Sequence, residues 1–419
     1  MATSTASYIE RVFLFRYSEP VLAGSLNGFF LIRIFQASTL CVTLGGQGYI
    51  ALFYGAKQFK EIGPCIWQLI WFSLLTTLII PPIGFGLHYL LYSNSQFMAA
   101  ETAYFSLLCW FNFLVPLIGA LSAFYIGQKK VFPIVCLTIG GALLNLVLDY
   151  YLIFGWSFIP AMGSFGAALS KVISQIIICS ILFVLFLTQG NQEKFGSGVW
   201  QWDLDLFYKY IKPGFLRGLG TIPCLSDWFL VSKTMTLLSE QHLHVFTMGS
   251  TVFYLFTFFS DALFQTTLTA SSYQLGKNEP KKVWDIVLSA TFFLGCFTGL
   301  IGLIFFFYPE YLTYFFPHRI ALFKVIAPGI WMALLGYGFN LIALGVITAA
   351  CDTFFLLQYY SVFWIISFTP IYLSMAIFSW DVHRFWFLVF LSNIITASIF
   401  FKRASREEWI DSSLRAVIT

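Results

Sequence analysis

The sequence predicts an all-α polytopic membrane protein with two pseudo-symmetric six-helix lobes, and three observations support this fold class. Hydrophobic residues make up 59% of the chain and charged residues only 10%, and the mean hydropathy is +0.81. Apolar runs long enough to cross a bilayer recur along the chain, and features of the first half reappear in the second. A soluble protein of 419 residues could not bury this much apolar surface, so the expected surroundings are a lipid bilayer.

Candidate spanning segments fill most of the chain. A spanning helix needs about 20 mostly apolar residues, and Gly, Pro and charged clusters mark the breaks between such segments. The breaks give eleven spans and, with a partial first helix, a total of 11–12 transmembrane helices. The spans are 21–54, 64–91, 98–126, 131–154, 162–188, 209–237, 244–274, 283–307, 321–350, 354–378 and 384–402.

Basic residues mark alternate loops. Lys57, Lys129 and Lys194 lie in three of these loops, and the carboxyl-terminal tail contains Lys402 and Arg403. Because basic residues favour the cytoplasmic side, we expect a multi-pass protein of the plasma (inner) membrane with a cytoplasmic carboxyl terminus. The basic residues that give the net charge of +4 therefore indicate the orientation in the membrane, and no nucleic-acid partner is expected.

Two pairs of short segments indicate an internal repeat. Gly55-Ala-Lys-Gln is matched by Gly276-Lys-Asn-Glu, and the segment that begins at Gly119 is matched by the one that begins at Gly345. The similar offsets predict two homologous bundles, and transporters bind their substrates between such repeats. The predicted organisation is an amino-terminal lobe at 1–188, a linker at 189–204, a carboxy-terminal lobe at 205–402 and a cytoplasmic tail at 403–419.

The most informative polar residues are Asn145 and Asp149, which interrupt an apolar run. A charge inside the membrane costs about 2.5–3.5 kcal/mol on insertion scales, so it normally has a partner or a function. The two residues are four positions apart and therefore share one face of a helix. This pair is suited to hold a cation, a proton or a basic neighbour.

Two basic residues also lie within apolar runs. Lys171 is predicted on the helix that follows Asp149, where its ammonium group would either act as a tethered cation for that carboxylate or reach a water-filled surface. Arg33 would either line the central cleft or form a structural pair with Glu10. Both alternatives remain open for each residue on sequence grounds.

Further ionisable residues are distributed over both halves. In the second half, Asp227 and Asp261 are candidates for the substrate cleft. In the first half, Glu101 and His88 lie near predicted helix ends, which favours solvation at the membrane interface for both. The Cys residues are scattered and form no C-x-x-C pair, so no metal site is expected.

The segment 141–176 resembles the fifth helix, loop and sixth helix of the multidrug and toxic compound extrusion (MATE) family. This family belongs to the multidrug/oligosaccharidyl-lipid/polysaccharide flippase (MOP) superfamily. Weaker matches follow at Tyr273-Gln-Leu-Gly276 and between Gly345 and Asp352. The resemblance implies twelve helices in two lobes and an antiporter that expels organic cations in exchange for sodium ions or protons. It also implies that Asn145 and Asp149 belong to the cation or proton site of the amino-terminal lobe.

The sequence departs from the family pattern at several positions. Glu10 matches the acidic position of the family's first helix, but only nine residues precede it, so either the true start lies upstream or about half of this helix is absent. The acidic positions of the family's second lobe fall near Thr221 and Tyr337. Lys171 occupies a position that is small or hydroxylated in the family.

The sequence therefore predicts a secondary-active exporter that works by alternating access, with a small organic cation as substrate and Na⁺ or H⁺ as coupling ion. Glu10, Asn145, Asp149 and Lys171 are the candidate coupling residues. We expect a monomer that is not an enzyme and has no cofactor, since no P-loop, H-E-x-x-H or Ser/His/Asp pattern has supporting context. Two alternatives remain: a flippase for lipid-linked oligosaccharides, whose anionic head group would suit Arg33 and Lys171, and a degenerate relative without coupling.

Overall fold

The described part of the protein consists of long helices joined by short connections, which confirms the predicted all-α class. The computed structural model describes residues 2–93, 98–156, 160–238, 240–308, 320–350, 352, 355–359, 362 and 384–405. The first eight α-helices are α1 (Ala2–Tyr17), α2 (Glu19–Gly55), α3 (Ile62–Tyr92), α4 (Met98–Trp110), α5 (Leu114–Gly127), α6 (Phe132–Phe154), α7 (Gly163–Phe186) and α8 (Gln189–Phe195). Those that follow are α9 (Leu204–Leu238), α10 (Glu240–Gly276), α11 (Lys282–Phe307), α12 (Ile320–Ala349) and α13 (Phe385–Ser405).

Seven helices among the described residues are long and apolar enough to cross a membrane, or eight if α4 and α5 form one span. These two helices are bent by 44° relative to each other, so the predicted span 98–126 is broken. Pro116 lies in the first turn of α5, where it cannot donate a backbone hydrogen bond to the preceding turn. The predicted span 354–378 lies mostly outside the described residues.

The chain divides into two compact units, residues 1–221 and 222–419. In the first unit, α1 is 16 residues long and is separated from α2 by Ser18, whose backbone is extended. Pro20 occupies the first turn of α2, where its missing N–H group costs no helical hydrogen bond. In the second unit, Phe253 of α10, Ile330 of α12 and Trp386 of α13 belong to one buried apolar cluster.

The helices α6 and α7 approach each other closely at Gly166. A Cβ atom at this position would lie 2.5 Å from the carbonyl oxygen of Leu152, a backbone atom that cannot move aside easily. By contrast, a Cβ atom on Gly140 of α6 would meet no atom within 4 Å. In this conformation, the contact at Gly166 brings together the two helices that carry Asp149 and Lys171.

We expect Gly166→Val to lower the free energy of unfolding by about 2 kcal/mol or more, because the added side chain would push α7 away from α6. Thermal unfolding of the purified protein in detergent measures this change. The matched control is Gly140→Val, for which we expect a much smaller effect. Equal losses of stability in the two variants would contradict the close contact at Gly166.

Candidate functional site

Asp149 and Asn145 lie on the face of α6 that packs against α7. Asp149 is fully buried, and Asn145 is almost so. The hydroxyl group of Ser170 on α7 donates a hydrogen bond to Oδ1 of Asp149. The side-chain amide of Asn145 donates to the Ser170 hydroxyl oxygen at 3.0 Å. The three side chains therefore form one buried polar cluster between the two helices.

The second carboxylate oxygen of Asp149 makes no hydrogen bond with any residue that the structure describes. A buried polar atom without a partner is costly, and the cost is larger for a charged group. A proton on this oxygen, or a cation beside it, would remove the cost. The oxygen atoms of Asp149, Asn145 and Ser170 are hard donors of the kind that bind alkali and alkaline-earth ions.

Lys171 pairs with Glu10 of α1, whereas the sequence left open either a pairing with Asp149 or contact with a water-filled surface. Its Nζ atom lies 2.7 Å from Oε2 of Glu10, and the exposed fractions of the two side chains are 18% and 4%. The physical reason is helical geometry: Ser170 contacts Asp149, and the next residue points about 100° further around the helix. The Lys171 side chain therefore meets α1 instead of α6.

Tyr104 of α4 completes a buried triad with Glu10 and Lys171. Its hydroxyl group donates to Oε1 of Glu10 at 3.2 Å and accepts a hydrogen bond from Nζ of Lys171 at 2.5 Å. These contacts join α1, α4 and α7 in the interior of the first unit. Because the triad contains one negative and one positive charge, it is close to neutral as a whole.

The ring of Phe29 on α2 is surrounded by cationic groups. The guanidinium carbon of Arg11 lies 5.3 Å from its centroid, Nζ of Lys171 lies at 5.5 Å and the guanidinium carbon of Arg33 at 5.9 Å. Arg11 and Arg33 are exposed. One of the two alternatives for Arg33 was an ion pair with Glu10. In the structure, the Glu10 carboxylate pairs with Lys171 instead.

The carboxy-terminal candidates are described only in part. Asp261 on α10 is exposed and accepts a hydrogen bond of 3.3 Å from the Tyr337 hydroxyl group on α12. The side chain of Asp227 lies outside the described residues. The roles of both aspartates in a substrate cleft therefore stay predictions.

The expectation that Glu101 and His88 are solvated is wrong. Glu101 is fully buried, and only 6% of His88 is exposed. The amide of Asn27 on α2 donates to Oε1 of Glu101 at 2.7 Å. Nearness to a helix end suggested contact with water, but α2 packs across this part of α3 and α4.

Three residues of the site were missed on sequence grounds: Ser170, Tyr104 and Phe29. Ser170 could have been considered on sequence grounds, because its hydroxyl group lies directly before Lys171 on the same helix. Tyr104 and Phe29 carry no such signal in a chain in which aromatic residues make up 20%. Their positions depend on how α2 and α4 pack around α7.

Comparisons with known proteins place this fold among transporters. No protein-family profile matches the chain. Over 192 residues, 45% of the chain, it is 24% identical to a Synechocystis sp. protein described as "Probable multidrug resistance protein NorM". This match spans 41% of that relative's length, which is less than half of it.

Solved structures match over nearly the whole chain. A MOP superfamily transporter from Pyrococcus furiosus has a TM-score of 0.82 at 13% identity, over 100% of this chain and 93% of its own. A mutant of the Vibrio cholerae MATE transporter VcmN has a TM-score of 0.81 at 14% identity, over 99% of this chain and 94% of its own. The chain therefore has the fold of the MATE transporters of the MOP superfamily, as its sequence predicts.

Proposed function

We propose that this protein is a secondary-active antiporter that exports small organic cations in exchange for sodium ions or protons. The observation that carries the proposal is the buried Asp149 carboxylate, which keeps one oxygen free of hydrogen bonds to the described residues. An ionisable residue at membrane depth normally marks an ion pathway or a proton relay. The MATE fold and the relative described as a multidrug resistance protein support the same function.

In this proposal the coupling ion neutralises Asp149. The hydroxyl group of Ser170 fixes the orientation of the carboxylate, and Asn145 in turn holds that hydroxyl. A coupling ion drives transport only if it binds the inward-open and outward-open states with different affinity. The cluster meets this condition if a movement of α6 relative to α7 changes the distances between the three side chains.

The pair between Lys171 and Glu10 supports a mobile ion at Asp149. Because the Lys171 ammonium is already bound by Glu10 and Tyr104, it is not the direct partner of the aspartate. We therefore set aside the hypothesis that Lys171 is a tethered cation for Asp149. In the present proposal, the ion pair between Lys171 and Glu10 holds α1 against α7, and the Asp149 carboxylate binds the mobile coupling ion.

The proposals for orientation and assembly rest on the positions of the basic residues in the sequence and on the position of the Asp149 cluster. We propose a plasma-membrane protein with a cytoplasmic carboxyl terminus, since the basic residues lie in alternate connections. We also propose that it acts as a monomer. Nothing in the mechanism requires a second copy, because the Asp149 cluster lies within one unit.

Transport by the purified protein in liposomes tests the proposed function. The experiment follows a fluorescent organic cation across the membrane while either a sodium gradient or a proton gradient is imposed. We expect one of the two gradients to accelerate the movement of the cation, and that gradient identifies the coupling ion. If the cation moved at the same rate with either gradient and without a gradient, the proposal of an antiporter would be contradicted.

One observation favours the flippase as a second candidate. Arg11, Arg33 and Lys171 surround Phe29, and Glu10 supplies the negative charge that pairs with Lys171. The excess of positive charge is suited to an anionic head group. The Pyrococcus furiosus transporter is itself described as having a binding pocket of reverse polarity that suggests a different function.

The variant Arg33→Gln separates the two candidates. If the substrate is an organic cation, removing this positive charge should leave its transport unchanged or raise it several-fold. If the substrate is an anionic lipid head group, transport of that lipid should fall by about tenfold, the loss expected for one charge-assisted contact. The control is Arg16→Gln, which removes an exposed charge from α1. A fall in cation export in Arg33→Gln alone would contradict the organic-cation proposal.

A further inference from the structure

We propose that a cavity between α10 and α11 binds one molecule of phosphatidylethanolamine from the membrane. The cavity has a volume of about 290 Å³ and is lined by residues of the second unit, whereas the Asp149 cluster belongs to the first. Neither the coupling ion nor the transported substrate is assigned to this cavity. The lipid site is therefore independent of the proposed function.

The two helices that form the cavity run antiparallel. The ring of Phe259 on α10 stacks on that of Phe297 on α11, with centroids 3.9 Å apart. Phe256 lies 5.8 Å from Phe305, so residue numbers fall along one helix as they rise along the other. The short connection at 277–281 joins the helices at one end, and the cavity extends from this end along both of them.

The two ends of the cavity differ in polarity. Gln274, Lys282 and Asp285 line the end next to the connection, and Leu263 and Phe293 line the opposite end. From Leu263 to Gln274, α10 rises by about 16 Å, which is close to half of a hydrocarbon core of about 30 Å. A polar head group at the charged end would thus place an acyl chain along the apolar end, within one leaflet.

Two buried polar atoms at the cavity wall make no hydrogen bond with any residue that the structure describes. They are Oγ1 of Thr267 and Oε1 of Gln274. Thr267 has no exposed surface, and its methyl group packs on α12, where a Cβ atom on Gly345 would lie 3.2 Å from Cγ2. Because buried polar groups are nearly always hydrogen-bonded, both atoms point to a ligand in the cavity.

The positions of these two atoms fit a phospholipid. Gln274 lies two helical turns from Thr267, or about 10 Å along α10, so a ligand that reaches both must be elongated. The ammonium group of phosphatidylethanolamine can donate to Oε1 of Gln274 at the charged end. Deeper in the cavity, the Thr267 hydroxyl group can donate to an ester carbonyl of the lipid.

The charges at the polar end match a zwitterionic head group. Lys282 can bind the phosphate, since an ammonium group has three donors and its pair with Glu279 uses one of them. Asp285 can bind the ammonium group of the lipid. Phosphatidylcholine has no N–H group to donate to Gln274, and phosphatidylglycerol has no positive charge for Asp285. Charge complementarity therefore favours phosphatidylethanolamine over both.

The cavity opens on an apolar surface from which a lipid can enter. Phe293 at its wall is exposed, and so are Leu288, Phe292 and Leu300 on the same helix. In a membrane protein an exposed apolar surface of this kind faces lipid chains. A phospholipid of the surrounding bilayer can therefore place one chain between α10 and α11 without crossing the interior of the unit.

Native mass spectrometry of the purified, delipidated protein tests the site without any transport assay. The full-length chain is mixed with equal amounts of phosphatidylethanolamine, phosphatidylcholine and phosphatidylglycerol, and the bound lipids are counted. We expect one retained phosphatidylethanolamine, preferred over phosphatidylcholine by about tenfold, the ratio expected for one charge-assisted hydrogen bond. Equal retention of these two lipids, or stronger retention of phosphatidylglycerol, would overturn the proposal.

Two variants locate the bound lipid. Ala290→Phe fills the cavity from a wall residue that is 7% exposed, and it should abolish retention of the lipid. Its control is Gly295→Phe on the same helix, where a Cβ atom would meet no atom within 4 Å, and retention should be normal. Unchanged retention in Ala290→Phe would contradict binding in this cavity.

The second variant is independent of the volume of the cavity. Asp285→Asn changes an exposed side chain, so the fold should be kept, and it should remove the preference for phosphatidylethanolamine over phosphatidylcholine. Glu193→Gln, an exposed carboxylate of the first unit, should keep the preference. A full preference in Asp285→Asn would show that this carboxylate does not bind the lipid ammonium and would overturn the assignment of the head group.

Discussion

Replacing Asp149 by Asn is expected to abolish gradient-driven export while the protein stays folded. The variant keeps the shape of the side chain, and the Ser170 hydroxyl group can donate to the amide oxygen as it does to the carboxylate. What is lost is the negative charge that, in the proposed mechanism, attracts the coupling ion. Without differential binding of an ion, a gradient has no means of shifting the equilibrium between conformations.

The expected size of this effect is a fall to the rate measured without a gradient, a loss of at least about tenfold. The measurement is efflux of a fluorescent organic cation from liposomes under the gradient that drives the wild type. Thermal unfolding should show a midpoint that is unchanged or higher, because a buried charge has been removed. The control is Glu193→Gln, an exposed carboxylate on α8, which should export normally. Full gradient-driven export by Asp149→Asn would contradict coupling at this residue.

Replacing Lys171 by Ala is expected to cause the largest loss of stability among the single changes proposed for the site. The substitution leaves the Glu10 carboxylate, whose side chain is 4% exposed, without its ammonium partner. Removing one member of a buried ion pair typically costs about 3–5 kcal/mol. Some of this cost will be relieved by Tyr104, which still donates a hydrogen bond to Glu10. We therefore expect a loss of about 3 kcal/mol.

An exposed ion pair of the same chain provides the control. Lys282 and Glu279 are joined at 2.8 Å, but their side chains are 55% and 41% exposed. Lys282→Ala should cost much less stability than Lys171→Ala, since water screens such exposed pairs. A second comparison is the double variant Glu10→Gln with Lys171→Met, which removes both charges and should recover part of the loss. Equal destabilisation by Lys171→Ala and Lys282→Ala would contradict a buried pair.

The fold class could be predicted from composition, but the exact spans could not. High hydropathy and the repeated apolar runs are enough to indicate an all-α membrane protein, and most predicted spans coincide with a helix. The break between α4 and α5 was missed, although Pro116 marks it, because the apolar run continues through the break. Hydropathy measures how apolar a segment is and contains little information about bends.

The polar cluster was also predicted only in part: helix spacing gives which residues share a face, but not which helix packs against that face. The spacing of Asn145 and Asp149 predicts a common helix face, and in the structure both side chains contact Ser170. The partner of Lys171 could not be predicted, because helical periodicity gives the direction of a side chain but does not say which helix covers that direction. Contact with Glu10 depends on the position of α1, which is set by packing across the whole unit.

Direct measurement of ion binding tests the central claim about Asp149 most closely. Binding of radioactive sodium and uptake of protons would be measured for the purified wild type and for Asp149→Asn under the same conditions. We predict that the wild type binds one of the two ions at a site that is absent from Asp149→Asn, while Glu193→Gln binds it normally. Equal binding of both ions by the wild type and by Asp149→Asn would show that Asp149 does not hold the coupling ion.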